Sequence, residues 1–185
     1  EPTGAAGCIA AFAVLMLLGA VPARARDHSF RSIADSDGPY TSFGGAPVIN
    51  DGGEVAFVAT LDTGAQGIFS GSFPGTDTIV DDEGPYEGPI DYPSINEAGT
   101  VAFRAWLDPT AEDVLGGRGI FTGPDPELDT VADDNGTDFG DFDSPSIADD
   151  GTVAFAAILP DGNFGVYKGA DPVAALVADT SGPSA

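Results

Sequence analysis

The chain is poor in the residues from which most active centres are built. Of 185 residues, one is Cys and one is His. A disulfide framework within one chain is therefore excluded, and a Cys/His zinc site has too few ligands. His28 stands close to the N-terminus, where a catalytic imidazole is rarely held in place. No Gly-x-Ser-x-Gly elbow and no phosphate loop with its Lys occurs. Positive charge is scarce too: 6 Lys plus Arg face 30 Asp plus Glu, a formal net charge of −24. Phosphate backbones and anionic membrane surfaces are bound through Lys and Arg, so both are excluded as partners. Sustained helical periodicity is missing from Arg26 onward, where apolar residues come in short groups bounded by Gly, Pro, Asn and Asp.

One longer apolar run exists. Cys8 to Val21 reads CIAAFAVLMLLGAV, shorter than the ~20 residues a membrane span requires. Ala23 and Ala25 follow in a small-x-small pattern, so residues 1–25 are expected to be a signal peptide cleaved after Ala25. The alternative is a retained N-terminal membrane segment through residues 9–21. Residues 1–8 carry no Lys or Arg and the first residue is Glu1, which leads us to expect that the natural start lies upstream. Cys8 precedes the apolar run instead of following it, so it is not expected to carry a lipid. The expected location is outside the cytoplasm: secreted, periplasmic or on the cell surface.

What the sequence has in abundance is Gly (26) and Pro (15), at regular intervals, and a motif that occurs three times. Pro47-Val48-Ile49-Asn50-Asp51-Gly52-Gly53-Glu54-Val55-Ala56-Phe57 recurs from Pro93 to Phe103 and from Pro145 to Phe155, at offsets of 46 and 52 residues. Each copy shows the same order of four elements. A short Pro-x-Ile segment leads into a turn ending in Gly53, Gly99 or Gly151, where Gly permits a positive φ. An apolar strand follows at Val55–Leu61, Val101–Leu107 and Val153–Leu159. The third element lies at Gly67–Phe69, Gly119–Phe121 and Gly165–Tyr167. The fourth lies at Thr78–Asp81, Thr130–Asp133 and Leu176–Asp179. Phe30–Asp35 resembles the fourth element and is expected to be an extra N-terminal strand (29–36). Six additional residues in the second copy fall within Asp108–Arg118, between strands, where loops tolerate insertions.

Four short antiparallel strands per period are what a propeller blade requires. The expected fold is therefore all-β: a partial β-propeller of three four-stranded blades (repeats about 38–84, 85–136 and 137–182) plus the extra strand. The alternative is another stacked β-repeat such as a solenoid. Small Ala at 56, 59, 102, 105, 154 and 157 would let neighbouring sheets approach closely. Three blades do not close a ring, for which roughly four to eight are needed. The chain is thus expected to be a fragment of a longer repeat protein, or an open arc able to self-associate through its exposed blade faces.

The three copies resemble the NxxGxxAF tandem-repeat family of exported bacterial proteins. Asn50, Gly53, Ala56 and Phe57 match that pattern, as do Asn96, Gly99, Ala102 and Phe103. The third copy keeps Gly151, Ala154 and Phe155 but has Ala148 in place of Asn. The resemblance spans about residues 30 to 183. It implies export and surface attachment, and it implies no settled activity.

The strongest candidate for site chemistry is the acidic connector of residues 133–143. Calcium takes six to eight oxygen ligands on a Gly-bent loop, and Asp133, Asp134, Asp138, Asp141 and Asp143 supply carboxylates with no Lys or Arg between Arg118 and Lys168. The spacing is not that of an EF-hand, and Asp in connectors also makes turns. Paired carboxylates could serve a glycosidase, but among 30 acids pairs arise by accident. Trp106 and the connector aromatics Tyr40, Tyr86, Tyr92, Phe139 and Phe142 could stack on sugars, but packing is favoured: Trp106 between blades, and the recurring Tyr40, Tyr86 and, in part, Phe139 as a plug repeated in each. No catalytic residue and no cofactor other than calcium is expected. The functional expectation is a non-catalytic secreted or surface repeat protein, a binding or structural scaffold for an extracellular protein or glycan. The alternative is a fragment of an extracellular polysaccharide-acting propeller enzyme. The discriminating feature is convergence: a site needs unlike residues from several copies to meet.

Overall fold

The computed structural model describes residues 29–109, 117–135, 139–169 and 175–180. The chain separates into two units, residues 1–31 and 32–185, and all of the described strands fall in the second. The expected signal segment 1–25 lies outside the described residues, as do 110–116 of the insertion and Asp138 of the connector.

The second unit is all-β, built of three antiparallel sheets. In the first, β1 (Tyr40–Ile49), β2 (Val55–Leu61), β3 (Gln66–Phe69) and β4 (Thr78–Asp81) pair in chain order. In the second, β5 (Tyr86–Ile95), β6 (Val101–Leu107), β7 (Arg118–Phe121) and β8 (Thr130–Asp133) do the same. In the third, the first strand is broken into β9 (Asp141–Phe142) and β10 (Ser146–Ile147). Both pair with β11 (Val153–Ile158), which is followed by β12 (Phe164–Lys168) and β13 (Leu176–Asp179). The registers correspond: Phe57 lies opposite Phe69, Phe103 opposite Phe121 and Phe155 opposite Tyr167.

Alternation of side chains along a strand gives each sheet two faces. One is aromatic: Tyr40, Phe57, Ala59 and Phe69 in the first sheet, Tyr86, Phe103, Ala105 and Phe121 in the second, Phe139, Phe155, Ala157 and Tyr167 in the third. The other is flatter: Ala56, Val58, Ile68 and Val80 in the first sheet, Ala102, Ile120 and Ala132 in the second. The flat face of the first sheet and the aromatic face of the second share one hydrophobic cluster. The flat face of the second and the aromatic face of the third share another. Ala56 and Ala102 are wholly buried, as close approach of sheets requires. The plug aromatics sit edge-on to the strand rings, with Tyr86 4.9 Å from Phe121 and Phe139 5.1 Å from Tyr167 between centroids, the geometry aromatic quadrupoles prefer.

The hydroxyls of Tyr40 and Tyr86 donate to the carbonyls of Gly71 (2.6 Å) and Gly123 (2.8 Å). Burial, then the charges of Asp129 and Asp125, hold the Tyr86 hydroxyl well above the ordinary tyrosine range. In the third sheet the two residue types are exchanged: Phe139 is the plug and Tyr167 the strand residue. The Tyr167 hydroxyl is buried and has no hydrogen-bond partner among the described residues. Tyr167→Phe removes an unsatisfied polar atom and is expected to raise stability by about 1 kcal/mol, read as a higher urea midpoint at unchanged slope.

Two expectations need correction. Residues 29–36 form no strand. Ser32 Oγ bonds the Asp35 carboxylate (3.2 Å) and the Asp37 amide donates to Asp35 Oδ1 (3.2 Å), so a local Asx turn prevails over a ladder that has no partner strands. Ala34 instead packs against the aromatic face of the first sheet. The leading strand is also longer than the Pro-x-Ile segment suggested, ten residues in the first two sheets. Single helical turns at Pro74–Asp77 and Pro126–Asp129 precede the fourth strands; four residues are too few to show periodicity in sequence.

Candidate functional site

The repeated residues hold the sheets together. Asn96 Oδ1 accepts from the Thr100 (2.9 Å) and Ala98 (3.1 Å) amides, closing its turn, and Asn50 Oδ1 does the same for Glu54 (2.8 Å). Gly53, Gly99 and Gly151 take φ of 84°, 77° and 81°, the left-handed values that glycine adopts without a steric cost. The amide nitrogens reach across to the next sheet. Asn50 Nδ2 donates to the carbonyl of Asn96 (3.0 Å), and Asn96 Nδ2 to the carbonyl of Ala148 (3.2 Å). Beside them the Asp51 amide donates to Glu97 Oε1 (2.6 Å) and the Glu97 amide to Asp149 Oδ1 (3.1 Å). The motif is a strut between consecutive sheets. It ends at Ala148, which has no side-chain amide to pass on.

Residues that differ between copies converge at one place. The middle of the central strand carries Val58 in the first sheet, Arg104 in the second and Ala156 in the third, each on the flat face. Arg104 binds Asp91 with two parallel hydrogen bonds, Nε to Oδ1 and Nη2 to Oδ2, each 2.9 Å. Its Nη1 donates to the carbonyl of Phe142 in the third sheet (2.9 Å), and its guanidinium lies 4.7 Å from the centroid of Tyr92. Burial works to lower the Arg104 pKa; the hydrogen bond and charge of Asp91, with Tyr92 and Asp141, outweigh it and raise the pKa above the ordinary arginine value. Tyr92 has φ 52°, a left-handed conformation uncommon for a bulky residue and typical of sites held by their surroundings.

Tyr92 borders a groove of about 510 Å³ between the first two sheets, within the ~300–1,000 Å³ of small-molecule sites. Gly44, Gly45 and Val58 form one wall, Ile90 and Tyr92 the other, and Pro145 of the third sheet stands at its edge. Its walls are chiefly apolar, with Gln66, Asp91 and Ser144 as polar groups. The Asp91 carboxylate is fastened by the Arg104 guanidinium, which never deprotonates in proteins.

The connector carboxylates are differently placed. Asp133 Oδ1 accepts from the Asn135 amide (3.2 Å) and Asp143 Oδ1 from the Ser144 amide (2.7 Å), both in local turns. Asp134 Oδ1 accepts from the Arg118 amide (2.6 Å). The Arg118 guanidinium lies 3.4 Å from Asp134 Oδ2 and 3.2 Å from Asp141 Oδ1. Two of the four described carboxylates are thus met from outside the stretch, by an arginine on the second sheet. Among the described residues no group of three or more His, Cys, Asp or Glu could hold a metal ion; Asp138 lies outside them. With Arg118 in place, calcium added to EDTA-treated protein is expected to leave the melting temperature unchanged. A rise of several degrees would mean that the carboxylates release Arg118 and take the ion.

Trp106 is not packed between sheets. It is partly exposed and its ring carries Arg118, 5.5 Å from the centroid. Sequence reasoning passed over Arg104; Tyr92 and Asp91 stand out in sequence only as a connector aromatic and a connector acid, with nothing to join them to it. The signal was available: Arg104 interrupts a strand whose equivalents are Val58 and Ala156. Comparison with family models, with curated proteins and with solved structures finds no match.

Proposed function

We propose that the chain is a non-catalytic, exported scaffold of the NxxGxxAF repeat kind, that its three sheets are blades of a partial propeller, and that it binds a neutral extracellular glycan in the groove beside Tyr92. The observation that carries this reading is the division of labour between residues. Those shared by the copies are engaged in struts, plugs and turns. Those peculiar to one copy meet at Arg104, Asp91 and Tyr92, in a bidentate ion pair and a cation–ring contact. An aromatic ring at the edge of an apolar groove with a few polar groups suits the apolar face and hydroxyl rim of a sugar. A net charge of −24 repels acidic polysaccharides.

Affinity electrophoresis through gels containing xylan or polygalacturonate tests this. Retardation by xylan, its loss in Tyr92→Ala, and free migration through polygalacturonate are expected. Release of reducing ends from xylan would contradict the absence of catalysis. Equal mobility in all gels would contradict glycan binding.

A further inference from the structure

Tyr92 stands at a stretch of β5 that the ladder holds weakly. The pairing with β6 shifts register between Glu87 and Asp91 and again between Asp91 and Ser94. Asp91, opposite Arg104, is the register point between the two irregularities, and Tyr92 and Pro93 follow it without a partner residue on β6. Such interruptions re-aim a side chain out of the sheet. At Tyr92 the backbone takes φ 52°, a conformation that costs a bulky residue free energy and persists only where neighbours hold it. Burial does not hold the ring either: Tyr92 is 46% exposed, whereas Tyr40, Tyr86 and Tyr167 are buried.

What holds the ring is Arg104. Its Nε and Nη2 donate to Asp91, the residue before Tyr92, and its Nη1 to the Phe142 carbonyl of the third sheet. With all three nitrogens engaged the guanidinium plane is fixed, and it lies over the Tyr92 ring, 4.7 Å from the centroid. Tyr92 lines the groove, whereas Arg104 lines a separate hollow of about 210 Å³ with Phe142, Asp143 and Phe164. The ring faces the groove and the guanidinium stands behind it. We propose that Arg104 is the positioning residue of the groove: its fork fixes Tyr92 as the aromatic wall, and affinity for a ligand in the groove depends on it through that ring. Lys cannot take its place. An ammonium is a point charge without a plane; it can meet Asp91 but cannot also reach the Phe142 carbonyl and cover the ring. The effect on binding rests on the glycan reading; the effect on the ring does not.

The chain has 4 Tyr, so fluorine NMR of protein labelled with 3-fluorotyrosine reads the ring directly. The resonance missing from Tyr92→Ala belongs to Tyr92, and in the parent it should lie away from its position in urea. In Arg104→Lys it should move toward the urea position while the resonances of the buried Tyr40, Tyr86 and Tyr167 stay. A Tyr92 resonance unmoved in Arg104→Lys would overturn the positioning role. Movement of every resonance would overturn it too, in favour of a general role in the fold. Calorimetric titration with xylohexaose reads the binding, which Arg104→Lys is expected to weaken about tenfold. Unchanged affinity, or weaker binding with the Tyr92 resonance in place, would overturn the route through the ring. A parent chain that does not bind xylohexaose contradicts the glycan reading, and the fluorine spectra still decide what holds Tyr92.

Discussion

Phe103→Ala is expected to lower the free energy of unfolding by about 3–5 kcal/mol, a large part of the ~5–15 kcal/mol that holds a typical domain. Phe103 is wholly buried on the aromatic face of the second sheet, in one cluster with Ile68 and Val80 of the first. Its ring stands 5.7 Å from Tyr86 and 6.0 Å from Phe121. Truncation therefore removes transfer energy and leaves a cavity between two sheets, neither of which can collapse without breaking its struts. Truncation of the partly exposed Phe43 of the first sheet should cost far less. Phe43→Ala removes a ring that is already half in water and is expected to cost about 1 kcal/mol, in proportion to the area lost. Urea unfolding of the two variants side by side measures the difference. Equal losses would mean that Phe43 is as well covered in solution as Phe103.

Asn96→Ala is expected to cost about 2–3 kcal/mol, more than a surface polar residue warrants. The side chain is buried and serves two sheets, accepting from Thr100 and Ala98 in its own turn and donating to Ala148 in the next. Truncation leaves the Thr100 amide without this acceptor, the costly half of losing a hydrogen bond. Asn96→Asp separates the two roles. It keeps the acceptor but sets a carboxylate against the Ala148 carbonyl, so the variant should be destabilised at neutral pH. Stability should return on acidification, when the protonated acid can donate again. Chemical denaturation of both variants across pH reads this out. Loss in Asn96→Ala without pH-dependent recovery in Asn96→Asp would confine the residue to its turn.

The strand order, the turns and the small Ala contacts were legible in sequence because they rest on local signals. Apolar runs at Val55, Val101 and Val153, bounded by turn glycines, allow little but strands, and Ala56 and Ala102 advertise close packing. The Asn-x-x-Gly turn was legible as a turn. Its second role was not, because the partner of Asn50 Nδ2 is a carbonyl 46 residues away, brought near only when sheets stack. The same limit hid the fate of the acidic connector. Asp134 and Asp141 looked unopposed along the chain, yet Arg118 on a neighbouring strand meets both. Tyr92 is one connector aromatic among several in the sequence, and nothing in its neighbours announces a φ of 52°. Arg104 was the legible part of the site. A lone cation in a strand apolar on both alternations needs a buried partner, and the preceding strand offers Asp91.

The central claim is that consecutive sheets stack flat face to aromatic face, with function left to the residues that differ. Methyl-labelled NMR in solution tests it most directly. Cross-peaks are predicted between the Ile68 methyls and the rings of the second-sheet cluster, and between the Ile120 methyls and those of Phe139, Phe142 or Phe155. Ile68 and Ile120 methyls that see only protons of their own sheets would contradict it.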